Sequence, residues 1–203
     1  MTTPRTAALG NESDAADWAR LRSHADEAAF AALFDRHNKA VYNFAFRRLG
    51  QWAAAEDVTQ AVFMSLWRRA QEGNVDKLKG DSARPILYAM ARHECLTHYR
   101  GDERRQRLQQ KVEMSREAHG VAPDQAKDWV DAEDTMAAID EALAVLTPDQ
   151  RDVVELVAWA ELSIADAARV LKVREGTVKS RLSRARAAMA QTRAAELVGR
   201  EER

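Results

Sequence analysis

The chain of 203 residues is poor in the residues on which disulfide-rich, sheet-rich and membrane proteins depend. Its one cysteine, Cys95, excludes an internal disulfide and is typical of a reducing compartment. Eight glycines and four prolines provide few tight turns, and no alternating run rich in Val, Ile and Thr predicts a strand. No apolar run approaches the length of a membrane-spanning helix, and no signal-peptide pattern opens the chain. We therefore predict a cytoplasmic protein without membrane insertion.

An excess of one charge is also lacking, since the formal net charge is −1. Charged residues still make up 31% of the chain and hydrophobic residues 46%, and the abundance of Ala, Glu, Arg and Leu favours helices. We expect an all-α fold of two small helical domains joined by a flexible linker. The predicted ranges are a disordered N-terminus at 1–13, a first domain at 14–112, a polar linker at 113–128, a second domain at 129–196 and a tail at 197–203.

Positive charge is concentrated near the carboxyl end. Between Lys172 and Arg186 there are six cations and one anion, which is a local footprint of phosphate contact. The spacing of Val178, Leu182, Ala185 and Met189 predicts one inward face of a helix. The polar side chains on and just before this helix that could bond base edges and phosphates are Arg174, Thr177, Lys179, Ser180, Ser183 and Arg184.

Two helix starts precede this cationic segment. The run Thr147-Pro148-Asp149-Gln150 is a capping-box pattern with proline at the first helical position. Ser163 is placed to cap a second helix, Val173 follows a short turn, and Gly176 lies at the start of the next helix. Together these signals predict a four-helix C-terminal domain with a DNA-binding helix-turn-helix. The charge cluster alone would also fit an ordinary amphipathic bundle with solvated arginines.

Three stretches resemble the extracytoplasmic-function sigma factors of the sigma-70 family. The run 176–186 carries the string GTVKSRLSRAR of the family's promoter-recognition helix. The segment Ala55–Phe63 resembles the helix that binds core RNA polymerase, with Val58, Ala61, Val62 and Leu66 as its buried stripe. The segment Ile86–Arg100 resembles the helix that opens the −10 element. The resemblance covers about residues 26–108 and 135–190.

This resemblance implies an alternative sigma factor that binds core polymerase and promoter DNA under the control of an anti-sigma factor. Its −35 contacts would fall on the polar side chains of the cationic segment, and the β flap would be a second polymerase contact. The residues implied to bind the β′ clamp helices are Asp57, Gln60 and Met64. The residues implied to bind the −10 element, on a loop at 72–82 and the helix after it, are Asn74, Lys77, Lys79, Arg84, Tyr88, Arg92, His93 and Arg100.

Other classes of protein have less support. No phosphate-binding glycine loop, nucleophile elbow or His-Glu-x-x-His pattern indicates an enzyme or a cofactor, and His37 is expected to be solvated. His93 and His98 are separated by about 140° on a helix and, with Cys95, do not complete a metal site. A response-regulator-like helix-turn-helix activator is the main alternative, although the N-terminal half lacks alternating strands and helices. A helical adaptor that binds only proteins is a further alternative.

Overall fold

The computed structural model describes residues 13–113 and 143–201, with the backbone alone for 102–113 and 192–201. Within these ranges the chain forms helices and no strand, which confirms the all-α prediction. The predicted disordered N-terminus up to residue 12, the linker from residue 114 onward and the first helix of the second domain lie outside the described residues. The helices are α1 (Ala15–His24), α2 (Glu27–Leu49), α3 (Trp52–Gln71), α4 (Arg84–Glu113), α5 (Pro148–Val154) with a π-helical turn (Glu155–Trp159), α6 (Ile164–Leu171) and α7 (Glu175–Glu201).

Helices α1 to α4 form the N-terminal half around one apolar core. Trp18 of α1, Leu33 of α2, Leu66 of α3 and Leu87 of α4 are almost completely buried in it. Burial of large apolar side chains is the main stabilising term in such a bundle. The stripe predicted for α3 is present, with Ala61 half-buried at its edge.

Gly50 ends α2, at the position where a glycine directly after the helical stripe of Val41, Ala45 and Leu49 predicts a C-terminal stop. Its φ of 69° is left-handed, and its N–H donates to the carbonyl of Phe46 at 2.8 Å. A residue without a Cβ adopts this conformation at no steric cost. The sharp stop lets α3 begin three residues after α2 ends and pack antiparallel against it.

Gly50→Ala is expected to lower the free energy of unfolding by about 1 kcal/mol, because an L side chain is strained in the left-handed region. Gly176→Ala is the matched control, since that glycine lies in the first turn of α7 and an added Cβ meets nothing within 4 Å at either site. The control should be neutral or stabilising by about 0.5 kcal/mol. Urea unfolding followed by circular dichroism measures both, and equal effects would contradict the conformational explanation.

The C-terminal half confirms both predicted helix starts. Thr147 and Gln150 form a complete capping box at α5, and the Ser163 hydroxyl accepts from the N–H of Asp166 at 3.0 Å. One prediction for α7 is wrong. Met189 is 38% exposed, because the inward face at this level passes through Ala188, which packs against the cluster formed by Leu143 and Leu146. The helix itself continues to Glu201.

The two halves pack against each other through α4. Leu87 and Ala91 of α4 belong to the same buried cluster as Val153 and Leu156 of the C-terminal half. The sequence alone left the relative placement of the halves open. In the described part of the chain the larger of two buried clusters therefore crosses from one half to the other.

Candidate nucleic-acid and polymerase interfaces

Helix α7 presents the predicted cationic face outward. The apolar residues Val178 and Ala185 are fully buried against α5 and α6, so the opposite side of the helix faces solvent. Thr177 and Ser180 are half-buried, with the Ser180 hydroxyl donating to the Thr177 carbonyl at 3.0 Å. The exposed members of this cationic face are Arg174, Lys179, Ser183 and Arg184.

A short left-handed turn sets the position of α7 relative to α6. Lys172 has a φ of 56°, and the N–H of Val173 donates to the carbonyl of Ala168 at 3.0 Å. This pattern ends α6 in the way that a C-terminal cap does. Arg181 forms an ion pair with Asp149 at the start of α5 and so helps hold α7 to the rest of the C-terminal half. The three helices thus have the order and the tight turn of a helix-turn-helix.

Helix α3 carries the three residues predicted to bind polymerase on one exposed face. Asp57 and Gln60 are exposed, and the Met64 side chain is 63% exposed. Gln60 also lines a groove between α2 and α3 together with Phe34 and Tyr42. Exposed methionine and phenylalanine side chains beside a groove are typical of a surface that receives another helix.

The loop between α3 and α4 is held to α1 while its polar side chains face solvent. The indole Nε1 of Trp18 donates to the carbonyl of Asp76 at 2.8 Å, and Arg22 Nε donates to the carbonyl of Val75 at 3.1 Å. The backbone is therefore fixed at one end of the loop. Its exposed side chains include the predicted DNA contacts Asn74, Lys77 and Lys79.

Asp14 fixes the other end of this loop. Its carboxylate accepts from Arg36 at 2.6 Å, from His37 Nε2 at 2.9 Å and from the N–H of Ala83 at 2.7 Å. Burial raises the pKa of Asp14, but the hydrogen bonds from His37, Ala83 and Arg36 together outweigh it and lower the pKa to about 2. A buried carboxylate with three donors thus joins α1, α2 and the start of α4.

The prediction that His37 is solvated is wrong. His37 is buried because it lies in the apolar stripe of α2, four residues after Leu33 and four before Val41. That position in the stripe is the signal in the sequence that could have indicated a buried partner. The acidic partner itself, Asp14, stands just before the first residue of α1.

The α4 residues predicted to contact the −10 element divide into three groups. His93 and Arg100 are exposed. Arg84 and Arg92 are half-buried and bond to the C-terminal half. Tyr88 is only 3% exposed, so the structure contradicts its predicted surface role.

Tyr88 is buried because it shares the inner face of α4 with Leu87 and Ala91. Its ring packs against Phe44 with the centroids 5.2 Å apart, and the guanidinium of Arg84 lies 5.8 Å from its ring centre. Tyr88 therefore supports the position of Arg84, and the exposed residues of this set on α4 are His93 and Arg100.

The remaining chemistry-bearing residues of α4 do not converge. His93 is exposed and Cys95 is buried, and burial raises the pKa of the Cys95 thiol to about 12. In the described ranges no group of three or more His, Cys, Asp or Glu side chains could hold a metal ion. No helix among the described residues is sufficiently long and apolar to cross a bilayer.

Comparisons with known proteins match both halves of the chain. Residues 33–105 match the family model of sigma-70 region 2, and residues 136–189 match that of sigma-70 region 4. The chain is 33% identical over 161 residues to the ECF RNA polymerase sigma factor SigL of Mycobacterium tuberculosis, covering 78% of this chain and 85% of the relative. It is 31% identical over 163 residues to SigK of Mycobacterium bovis, covering 80% and 84%.

Solved structures show a similar fold. A chain from the structure of CnrH in complex with the cytosolic domain of CnrY matches with a TM-score of 0.64 at 23% identity, over 90% of this chain and 97% of that one. A chain from the complex of the sigma factor RpoE with the anti-sigma factor NepR from Bartonella quintana matches with a TM-score of 0.55 at 26% identity, over 80% and 94%.

Proposed function

Because the chain belongs to the extracytoplasmic-function family of RNA polymerase sigma factors, which are non-enzymatic transcription initiation factors, we propose that its two halves bind different partners during initiation. Residues 14–112 bind core polymerase and open the −10 element, and residues 129–196 read the −35 element. The observation that carries this proposal is the cationic face of α7, which is held outward by two capped helices. A chain with a net charge of −1 has its positive charge concentrated where a recognition helix presents it.

The cationic face combines two kinds of DNA contact. Lys179, Arg184 and Arg174 reach phosphates or guanine edges, and Ser183 and Thr177 supply hydroxyls for shorter contacts. Ser180 is half-buried and bonded to Thr177, so it acts at the edge of the contact. A helix-turn-helix places the first turns of its second helix nearest the bases, and all these residues lie in that part of α7 or just before it.

The face formed by Asp57, Gln60 and Met64 is the proposed docking site for the β′ clamp helices of polymerase. Its polar residues flank an exposed methionine and adjoin the groove between α2 and α3. A large apolar side chain with polar neighbours is typical of a protein interface whose centre is apolar and whose rim is hydrogen-bonded. The β flap remains the proposed partner of the C-terminal half.

The combined variant Asp57→Ala/Gln60→Ala is expected to weaken core polymerase binding roughly tenfold, because two rim contacts are lost without disturbing the buried stripe of α3. Titration of core polymerase with a fluorescently labelled chain measures the affinity. The control is Lys179→Ala, which should retain wild-type polymerase binding. Undiminished affinity in the double variant would remove α3 from the docking site.

The −10 element is the proposed partner of the anchored loop and the outer face of α4. Asn74, Lys77 and Lys79 lie on the loop, whose ends are fixed by Trp18 and Asp14. A fixed backbone with polar tips suits a pocket for an unstacked base. The α4 contacts are Arg84, Arg92, His93 and Arg100.

Regulation by an anti-sigma factor is the remaining part of the proposal. The RpoE chain that this protein resembles is described in complex with the anti-sigma factor NepR, and we extend that mode of control to this chain. We also propose that the protein acts in the cytoplasm, where polymerase and promoter DNA are found, and that it has no catalytic activity of its own.

Run-off transcription with purified core polymerase tests the proposed function. Core polymerase with this chain should initiate at specific sites on a genomic template library, whereas core polymerase alone should not. A response-regulator-like activator would instead need a polymerase that already carries another sigma factor. Specific initiation only in that second mixture would overturn the proposal in favour of the activator.

A further inference from the structure

Charged side chains from both halves are buried against each other. Arg48 of α2 donates to Asp152 at 2.9 Å and to Glu155, and Arg92 of α4 donates to the second carboxylate oxygen of Asp152. On the C-terminal side, Arg151 Nε donates to Glu155 at 2.7 Å. We refer to these five residues as the interdomain ion cluster.

The interdomain ion cluster lies within the apolar cluster that crosses between the halves. Glu155 is fully buried, and Asp152 and Arg48 are nearly so. Val153 and Leu156, which flank the two acids in sequence, are buried as well. Buried charges depend on their partners, so removing one sign leaves the other uncompensated, whereas replacing the whole set by apolar side chains is often neutral or stabilising.

The same contact occupies groups that the proposed function assigns to the −10 element. Arg92 is paired with Asp152, and Arg84 donates from Nη2 to the carbonyl of Ala160 at 2.6 Å. Arg169 of α6 donates to the carbonyl of Lys79 in the anchored loop. While the C-terminal half stays in this position, the side chains of Arg84 and Arg92 are not available to DNA.

The contact is also imperfectly satisfied, which favours its release. The Nε atoms of Arg48 and Arg92 are buried and have no hydrogen-bond partner within the described part of the chain. Burial raises the pKa of Glu155 even though Arg48 and Arg151 oppose that rise. A buried polar set with unmade hydrogen bonds gains solvation when it opens.

We propose that the interdomain ion cluster holds the free chain in a closed arrangement, in which the C-terminal half engages Arg84 and Arg92, two of the four α4 residues proposed to contact the −10 element. Binding to polymerase and promoter requires the two halves to separate. The claim that this arrangement inhibits DNA binding rests on the proposed function. The closed arrangement itself is a property of the free chain and does not depend on that function.

Removal of the acidic charges should open the chain. Dyes on Ser23→Cys in α1 and Ala187→Cys in α7, both exposed positions, report the separation of the halves by single-molecule energy transfer in a Cys95→Ala background. The wild-type chain should show one high-transfer population, and Asp152→Asn/Glu155→Gln should move at least half of the molecules to low transfer. The charge-matched control Asp35→Asn/Glu161→Gln neutralises two exposed carboxylates and should leave the distribution unchanged.

Apolar replacement of the cluster should have the opposite effect. Arg48→Met/Asp152→Leu/Glu155→Met keeps the interface filled and removes the three buried charges, while the side chains of Arg92 and Arg151 are 28% and 20% exposed and keep contact with solvent. The high-transfer population should therefore persist. Binding to a fluorescein-labelled pool of random single-stranded DNA, followed by anisotropy, should be roughly tenfold tighter in the opened variant than in the charge-matched control. It should be weaker than wild type in the apolar variant.

The outcomes test the closed arrangement and its inhibitory role separately. An unchanged transfer distribution in Asp152→Asn/Glu155→Gln, or a wild-type chain that is already open, overturns the closed arrangement. Opening without tighter DNA binding than the control overturns its inhibitory role. If circular dichroism shows that the charge-removed variant does not fold, the apolar variant decides the question. A DNA affinity equal to that of wild type then overturns the proposal. If distances and DNA binding respond as expected while no variant supports run-off transcription, the sigma function fails and the closed arrangement stands.

Discussion

Asp14→Asn is expected to lower the free energy of unfolding at neutral pH by about 2–4 kcal/mol. The lowering of the Asp14 pKa from 3.8 to about 2 corresponds to about 2.4 kcal/mol of stabilisation of the charged form. Asparagine keeps the shape but loses the ion pair with Arg36 and weakens the bond with His37, and broken buried pairs cost several kcal/mol. The carboxylate is only 2% exposed, so water does not replace these partners.

The acid dependence of stability should identify the same group. Because the pKa of Asp14 is lower in the folded state, its contribution is present above the unfolded pKa of 3.8 and is lost as the pH falls through about 2. Urea unfolding between pH 6 and pH 2, taken as convenient limits around this window, should show a smaller loss of stability for Asp14→Asn than for wild type. Asp35→Asn, at an exposed position on α2, should follow the wild-type curve. Parallel curves for wild type and Asp14→Asn would contradict the assigned role.

The double variant Lys179→Ala/Arg184→Ala is expected to reduce −35-dependent transcription about 100-fold. Each side chain is proposed to make a contact worth about 1–3 kcal/mol, and the losses add roughly for separated contacts. Initiation from a promoter with its −35 element, compared with the same promoter carrying a scrambled element, measures the loss. Each single variant should lose about tenfold, and the salt dependence of binding should become shallower where a phosphate contact is removed.

Two controls make this result specific to the cationic face. Arg20→Ala removes an exposed arginine of α1 that pairs with Asp17 and should leave transcription unchanged. Core polymerase affinity should also be unchanged in the double variant, in contrast to Asp57→Ala/Gln60→Ala. Wild-type transcription from the −35-dependent promoter would exclude α7 as the recognition helix.

Features that depend on a few neighbouring residues could be predicted from the sequence. The capping box at Thr147, the cap at Ser163 and the stop at Gly50 are local hydrogen-bond patterns, and the structure has all three. The buried side of α7 through Val178 and Ala185 follows from helical periodicity. These local signals are sufficient to define the proposed −35 interface.

Features that depend on distant partners could not be predicted in the same way. Asp14 and His37 are 23 residues apart, and Arg48 and Glu155 are 107 apart. Nothing in the spacing around Tyr88 shows which neighbours cover its ring. The exposure of single residues on α4 therefore depends on contacts with α2, as for Tyr88, and with the C-terminal half, as for Arg92. Periodicity within one helix does not specify these contacts.

Cys95 makes the packing of α4 measurable without any added label. With its pKa raised to about 12, the thiol carries almost no nucleophilic thiolate at neutral pH, and its side chain has no access to solvent. An alkylating reagent can then react only during the moments when the inner side of the helix meets water. The rate at which iodoacetamide alkylates the Cys95 thiol therefore measures how often this side of α4 opens. Mass spectrometry can follow the alkylation in the wild-type chain.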